Sequence, residues 1–127
     1  MFLGDYKKQK GAAAVEFAII LPLLIMLVFG IVQFGIAFNN WISLTHAARH
    51  GARLAAVGDY EDFDARVQES SPTVTIESIT LSGDDGNIGD PVEVTVTGEV
   101  LNIDIPLVGS WPVTLTSTAT LRLEQTK

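Results

Sequence analysis

The stretch that decides the fold is residues 11–38, GAAAVEFAIILPLLIMLVFGIVQFGIAF. Glu16 is the only charged side chain in the 27 residues from Ala12 to Phe38. A helix of that length, at about 1.5 Å per residue, is roughly 40 Å long, and the hydrocarbon core of a bilayer is about 30 Å thick. The stretch therefore predicts a transmembrane helix over residues 12–38. A carboxylate in such a helix is costly and indicates a functional role.

The preceding segment, residues 1–11, is basic because it carries Lys7, Lys8 and Lys10 against one aspartate. Lysines beside an apolar segment stay on the cytoplasmic side. This predicts a single pass through the cytoplasmic membrane with the N-terminus inside and residues 39–127 outside. A removable secretory signal has an apolar region of about 7 to 15 residues, roughly half the length of this one, so that interpretation is disfavoured.

The junction from Gly11 to Glu16 resembles the class III signal of type IV pilin-like proteins, and among them the TadE-like family of tight-adherence (Tad) pilus systems. In that superfamily a prepilin peptidase cuts after a glycine, and glutamate is the fifth residue of the mature chain. A cut between Gly11 and Ala12 would make Glu16 the fifth residue. The resemblance implies that residues 1–11 are a leader and that Glu16 acts in filament assembly.

A physical reason for that spacing exists beside the resemblance. Cleavage exposes an α-amino group with an ordinary pKa of about 7.7 to 8.0, and the first helical turn adds partial positive charge. The resemblance implies that the Glu16 carboxylate of one subunit pairs with the amine of its neighbour. An unpaired charge in an apolar bundle would be expensive. The alternative is that Glu16 is an interfacial residue of a plain signal anchor.

The resemblance continues through residues 17–22, FAIILP, and through residues 47–57, AARHGARLAAV. Pro22 removes a backbone donor and clashes with the carbonyl four residues earlier, which predicts a kink or local opening. That site is either an assembly hinge or a tolerated membrane-helix proline. The chain departs from the family at His50, where an acidic residue is usual, and at Gln33, which replaces a common glutamate.

Beyond Phe38 the helical pattern becomes amphipathic, with Trp41 at the point where an interfacial aromatic would mark the exit from lipid. A row of small residues, Ala47, Gly51 and Ala55, predicts close approach of another backbone. His46 and His50 are four residues apart and could ligate a metal. Two histidines on a solvated helical stripe explain the spacing better, since no glutamate follows His46 and the chain has no cysteine.

The remaining sequence predicts a small α+β head of pilin-like type, in which the amphipathic helix packs on an antiparallel sheet. Gly58 is expected to end the long helix and Asp59 to cap the next one. The predicted head elements are helices over 39–57 and 60–69 and strands over about 73–81, 92–100 and 113–123. Apolar residues change parity near Glu77 and Ser78, which predicts a β-bulge there.

Two connections in the head are of interest. Asp84, Asp85 and Asp90 lie in the loop at 84–90 and are possible calcium ligands, although the loop lacks the EF-hand spacing and its residues are those that turns use. Residues 101–112 are too apolar for a free loop. The apolar members of this segment are Ile103, Ile105, Leu107, Val108 and Trp111. They predict either an interface with a neighbouring subunit or lipid headgroups, or packing into the head's own core.

Composition excludes several functions. The formal net charge is −7, which opposes binding to nucleic acid. No set of nucleophile, base and acid, no phosphate-binding loop and no metal signature is present in the sequence, so we expect neither enzymatic activity nor a cofactor. Without cysteines, redox chemistry does not identify the compartment.

These observations and the resemblance together predict a minor pilin or pseudopilin of a Tad-type pilus, acting in pilus assembly or initiation and so in adhesion or secretion. The expected partners are the prepilin peptidase, a major Flp-type pilin, a second minor pilin, the inner-membrane assembly platform and membrane lipids. After assembly the chain would lie in a cell-surface pilus. The alternatives are the main subunit of an unusual type IV-like pilus and a signal-anchored extracytoplasmic binding module that never assembles.

Overall fold

A computed structural model describes residues 3–105 and 109–125, with side chains for residues 11–103 and 109–125. The element order is α1 (Leu3–Ala56), α2 (Phe63–Glu69), β1 (Thr75–Ser82), β2 (Pro91–Ile105) and β3 (Gly109–Arg122). This order confirms the predicted α+β class, with one long apolar helix, one short helix and an antiparallel sheet. The chain divides into two units, Met1–Gly35 and Ile36–Lys127.

In the first unit, α1 exposes its apolar side chains on all sides. Phe17, Ile19 and Phe34 are typical of the segment and are more than half exposed. The helix is long and apolar enough to cross a bilayer, and its most apolar window is not buried. Pro22 lies inside α1, and the helix continues past it. A hinge at Pro22 stays a prediction.

In the second unit, α1 ends in a glycine cap. Gly58 has a left-handed backbone, with φ of 70°, which glycine adopts without the penalty that a Cβ brings. The amide of Gly58 donates to the carbonyl of Ala55 at 3.1 Å, and the amide of Asp59 donates to the carbonyl of Leu54 at 3.0 Å. These two bonds are those of a Schellman motif, and they confirm Gly58 as the C-cap.

The three strands form one antiparallel sheet in the order β1-β2-β3. The register of β1 against β2 shifts between Ile76 and Ser78, which leaves Glu77 without a paired residue. The shift brings Ile79 and Leu81 onto the same partly buried side as Ile76. The predicted bulge is therefore confirmed, and its physical cause is that one extra residue realigns the apolar parity of the strand.

The core lies between the second half of α1 and the inner side of the sheet. Leu44, Val94 and Val96 are fully buried there. A Cβ built on Gly51 would lie 3.0 Å from Cγ1 of Val94 and 3.1 Å from Cγ2 of Val67. The row of small residues on α1 is thus covered by the chain's own sheet and α2. The small residues allow another backbone to lie close to α1, as predicted, but that backbone is a strand of the same chain.

Helix α2 covers the free edge of β1 through one side chain. The Gln68 amide nitrogen donates to the carbonyl of Val74 at 3.1 Å, and the Gln68 amide oxygen accepts from the amide of Ile76 at 3.3 Å. A side-chain amide thereby takes the place of a neighbouring strand. Together with the bulge at Glu77, this contact blocks an edge that would otherwise be open to pairing.

Two parts of the predicted organisation differ from the structure. Residues 101–112, expected as a connection, are mostly the paired ends of β2 and β3, with Leu101 opposite Val113 and Ile103 opposite Trp111. Alternating apolar and polar residues continue through this segment, and that alternation is the strand signal. Helix α2 begins at Phe63 because Asp62 adopts a left-handed backbone with φ of 48°.

Asp59 was predicted to cap α2 and instead forms an ion pair. Arg66 Nη1 donates to Asp59 Oδ2 at 2.7 Å, and this hydrogen bond lowers the pKa of the Asp59 carboxyl below its ordinary value of 3.8. Since the folded pKa is the lower one, the stabilisation is present above the unfolded pKa and is lost as the pH falls through the folded pKa. We expect Asp59→Asn to lower the unfolding free energy slightly at neutral pH and to flatten its acid limb by the same small amount, because both side chains are well exposed. Denaturant unfolding of the two forms across pH checks this, and equal acid limbs would contradict it.

Candidate functional site

The predicted cleavage and assembly junction lies on an open stretch of α1. Residues from Gly11 to Glu16 are helical and exposed. A Cβ added to Gly11 would meet nothing within 4 Å, so a substitution there does not disturb packing of the described chain. The junction is therefore sterically open to a partner.

Ala12 and Glu16 lie on one face of α1. Residues four apart on a helix are neighbours, and helical side chains tilt toward the N-terminus. The Glu16 carboxylate therefore leans back toward the backbone nitrogen that a cut after Gly11 would convert into a free amine. Among the described side chains, Glu16 makes no hydrogen bond or ion pair. The described side chains of one copy of the chain thus supply no charge partner for Glu16.

Downstream of Glu16 the apolar side chains of α1 are exposed and form a continuous apolar surface. Leu24, Ile25, Val28 and Phe29 line a shallow cleft on it. Such a surface is stable in contact with acyl chains or with other apolar helices, and either environment raises the cost of leaving Glu16 unpaired.

The other predicted polar sites lie in the second unit. His46 and His50 are both exposed on α1, and the described residues contain no group of three side chains able to hold a metal ion. The acidic loop is closed by its own hydrogen bonds. Asp90 Oδ2 accepts from the amide of Asn87 at 2.8 Å, and the carbonyl of Asn87 accepts from the amide of Asp90 at 2.9 Å. The loop is built as a hydrogen-bonded turn.

Of the predicted interface residues, the structure brings two together. Ile103 and Trp111 are opposite each other on β2 and β3, and Trp111 is 52% exposed. Ile105 is described by its backbone alone, which pairs with Gly109. Leu107 lies outside the described residues.

Sequence reasoning missed the polar contacts that fix α1 against the sheet. The Asn40 side-chain nitrogen donates to the carbonyl of Val100 at 2.8 Å. Ser117 Oγ donates to Thr45 Oγ1 at 3.2 Å. A usable signal was present for Asn40, because it lies one helical turn before the buried Leu44 and thus on the face that packs on the sheet.

The comparison with protein families addresses about a third of the chain, near its N-terminus. Residues 11–53 match the model of a family described as TadE-like protein. The chain carries a TadE-like region. This region begins at Gly11 and contains Ala12, Glu16 and Pro22. It ends within the amphipathic half of α1, so α2 and all three strands lie outside it.

The TadE-like region confirms the family resemblance derived from the junction and indicates a protein associated with Tad pili. The family consists of structural pilus proteins and not of enzymes. Together with the long apolar helix, it also indicates a membrane-anchored protein. Neither the curated proteins nor the solved structures give a match to the chain.

Proposed function

We propose that this protein is a minor pilin or pseudopilin of a Tad-type pilus. In this proposal it is inserted in the cytoplasmic membrane with the N-terminus inside and the second unit outside. A prepilin peptidase cuts after Gly11, and the mature chain then enters a filament or primes its assembly. Pro22 would act as a hinge as the helix moves out of the bilayer.

The observation that carries the proposal is the junction. Within a TadE-like region, an exposed glycine precedes an exposed carboxylate that lies five residues further on. That carboxylate has no partner among the described side chains. A new amine at Ala12 of a neighbouring subunit would supply the missing positive charge, and the low dielectric of a helix bundle would make the pair selective for one register.

The proposed partners follow from the resemblance to Tad pilus proteins. The prepilin peptidase would recognise the leader and Gly11. A major Flp-type pilin and a second minor pilin would contact the exposed apolar helix, and the inner-membrane assembly platform would move the subunit into the filament. The second unit adds a folded head to the helix, which favours a minor role over that of a repeating subunit made mostly of helix.

Leader cleavage is the first test of this proposal. We expect the full chain, expressed together with the prepilin peptidase of a Tad system, to lose residues 1–11 and to begin at Ala12. Intact mass and N-terminal sequencing measure this directly. We expect Gly11→Val to stay uncut, because the peptidase would no longer find a glycine before the cut. The added Cβ meets no described atom, so the effect would come from the peptidase and not from lost packing.

The matched control is Gly4→Val, which places the same side chain in the leader and should still be cut. An intact leader in the unchanged chain, with a peptidase that processes its own pilin in the same cells, would contradict the proposal. That result would favour the second candidate, a signal-anchored binding module that does not assemble. Equal cleavage of the Gly11→Val chain would instead place the cut elsewhere.

A further inference from the structure

Strand β2 runs antiparallel to α1 within the second unit. Near the C-terminal end of α1, the carbonyl of Ala56 accepts from the amide of Glu124, just after β3. Further back along the helix, a Cβ on Gly98 would lie 3.1 Å from Cδ1 of Leu44. Asn40 bonds the carbonyl of Val100. Residues 101–105 and 109–113 therefore lie at the end of the unit where α1 enters it, at Ile36.

This end of the unit carries exposed apolar side chains from both layers. On the sheet, Trp111 is 52% exposed, Val113 36% and Leu115 40%, and Ile103 lies opposite Trp111. On the helix, Trp41 is 43% exposed. We refer to these five residues as the apolar end. It holds both tryptophans of the chain.

The apolar end is one side of an amphipathic hairpin. The alternate residues on the other side are polar, and Ser110 Oγ donates to Asn102 Oδ1 at 3.0 Å. No charged residue occurs between Gly109 and Leu121. An element with one apolar and one polar side is suited to the boundary between headgroups and acyl chains and not to the hydrocarbon interior.

Charge is more abundant at the opposite end of the unit, although β2 carries Glu99 and Asp104 close to the apolar end, in register with Thr114 and Ser110. The loop between β1 and β2 lies there, since Pro91 pairs with Arg122 and the amide of Gly89 donates to the carbonyl of Leu123. The carboxylates at that end are those of Asp84, Asp85, Asp90, Glu93 and Glu124. The two ends thus differ as a membrane-facing end and a water-facing end should, because carboxylates are expensive to bring into lipid.

We propose that the apolar end rests in the headgroup region of the bilayer while the chain is membrane-anchored, with Trp41 and Trp111 at the interface. The inference rests on the membrane anchor and holds whether or not the leader is cut. Tryptophan is enriched at this depth because its ring is amphipathic. The apolar run of α1 stops at Phe38, three residues before Trp41, which puts the expected bilayer surface at the start of the second unit.

The occupant is lipid and not a second copy of the chain. The surface lies at the point where the anchor leaves the membrane, so lipid covers it without any association step. The contact is apolar and aromatic, and it therefore needs no anionic lipid and tolerates high salt. It would hold the head against the membrane until the subunit is extracted, and extraction would free Trp111.

Fluorescence quenching by lipid tests the proposal on the full chain in phosphatidylcholine vesicles. Trp41→Phe leaves Trp111 as the single tryptophan, and excitation at a wavelength that tyrosine does not absorb isolates its emission. We expect phosphatidylcholine brominated near the top of its acyl chains to remove most of the Trp111 emission, equally at low and high salt. Trp111→Phe, which keeps Trp41, is the positive control for insertion.

The matched negative control moves the tryptophan along the same side of β3. Leu121 is 43% exposed and lies ten residues from Trp111, about 33 Å along a strand. The triple variant Trp41→Phe, Trp111→Phe, Leu121→Trp should keep its emission in brominated lipid. Circular dichroism of each variant verifies its fold.

Unquenched Trp111 beside quenched Trp41 would overturn the proposal. Trp111 emission that responds to the ratio of protein to lipid, and not to bromine, would overturn it in favour of a second copy. Equal quenching of Trp111 and of the tryptophan at 121 would also overturn it, since the unit would then lie flat on the membrane.

Discussion

Replacing Glu16 with alanine is expected to stop filament formation while leaving leader cleavage intact. The Glu16 carboxylate has no partner among the described side chains, and the proposal pairs it with the amine of Ala12 on a neighbouring subunit. Removing one member of a charge pair in apolar surroundings costs about 3–5 kcal/mol, and each 1.4 kcal/mol changes an equilibrium about tenfold. We therefore expect surface pili to fall by at least about a hundredfold.

The measurement is the amount of pili sheared from cells that carry the complete Tad system. Only this chain differs between the strains. Glu16→Gln keeps the size and hydrogen bonding of the side chain without its charge, and should fail as alanine does. Glu16→Asp keeps the charge and should retain part of the assembly. Intact mass of the variants shows whether the leader has been removed.

The matched control for Glu16 is Gln33→Ala, which removes the amide side chain from the same helix. Gln33 is partly buried and uncharged, so its loss leaves no unpaired charge behind. Wild-type amounts of pili from the Glu16→Ala chain would refute the charge-pair proposal. A loss of pili from both variants would show general damage to the helix and would also count against it.

The α+β order of elements could be predicted because two hydrophobic periods are distinct in this chain. The apolar run ending at Phe38 predicted the membrane-spanning helix, and the alternation of apolar and polar residues around Val94 predicted the sheet. The bulge at Glu77 was predictable because apolar parity changes there. The family resemblance rested on the spacing of Gly11 and Glu16, which needs no knowledge of the fold.

The hairpin at 101–112 was misassigned because Pro106, Gly109 and Pro112 look like loop residues. In the structure, Pro112 pairs with Asn102 inside the ladder. Proline is tolerated there because β3 is an edge strand whose outer side needs no amide. Hydrogen bonds such as that from Asn40 to Val100 depend on which strand end lies beside α1, and periodicity carries no information about that arrangement.

Gly98→Val is expected to destabilise the second unit strongly. A Cβ at Gly98 would lie 2.9 Å from the carbonyl oxygen of Thr75, 2.9 Å from Cγ1 of Val74 and 3.1 Å from Cδ1 of Leu44. The carbonyl belongs to the backbone of the adjacent strand and cannot turn away as a side chain can. Overpacking of this kind costs about 3 kcal/mol, a large part of the stability of a small domain.

Thermal melting of the full chain in nanodiscs, followed by the circular dichroism of the sheet, measures the loss. For a unit of this size, 1 kcal/mol lowers the melting temperature by about 4–8 °C, so we expect a fall of about 12–24 °C. The matched control is Thr97→Val, one residue earlier on the opposite side of β2. It removes only an exposed contact between Thr97 and Thr116 and should change the unfolding free energy by less than about 0.5 kcal/mol.

A second substitution identifies which neighbour of Gly98 causes the loss. Leu44→Ala alone removes a fully buried side chain and should itself destabilise by about 2–5 kcal/mol. Combined with Gly98→Val, it frees the space on the helix side, so the two costs should sum to more than the cost of the double variant. The clash with Thr75 would remain, and the rescue should therefore be partial. Full additivity would mean that Leu44 does not touch Gly98, and α1 would then not hold β2 in the alignment that places the apolar end beside the membrane.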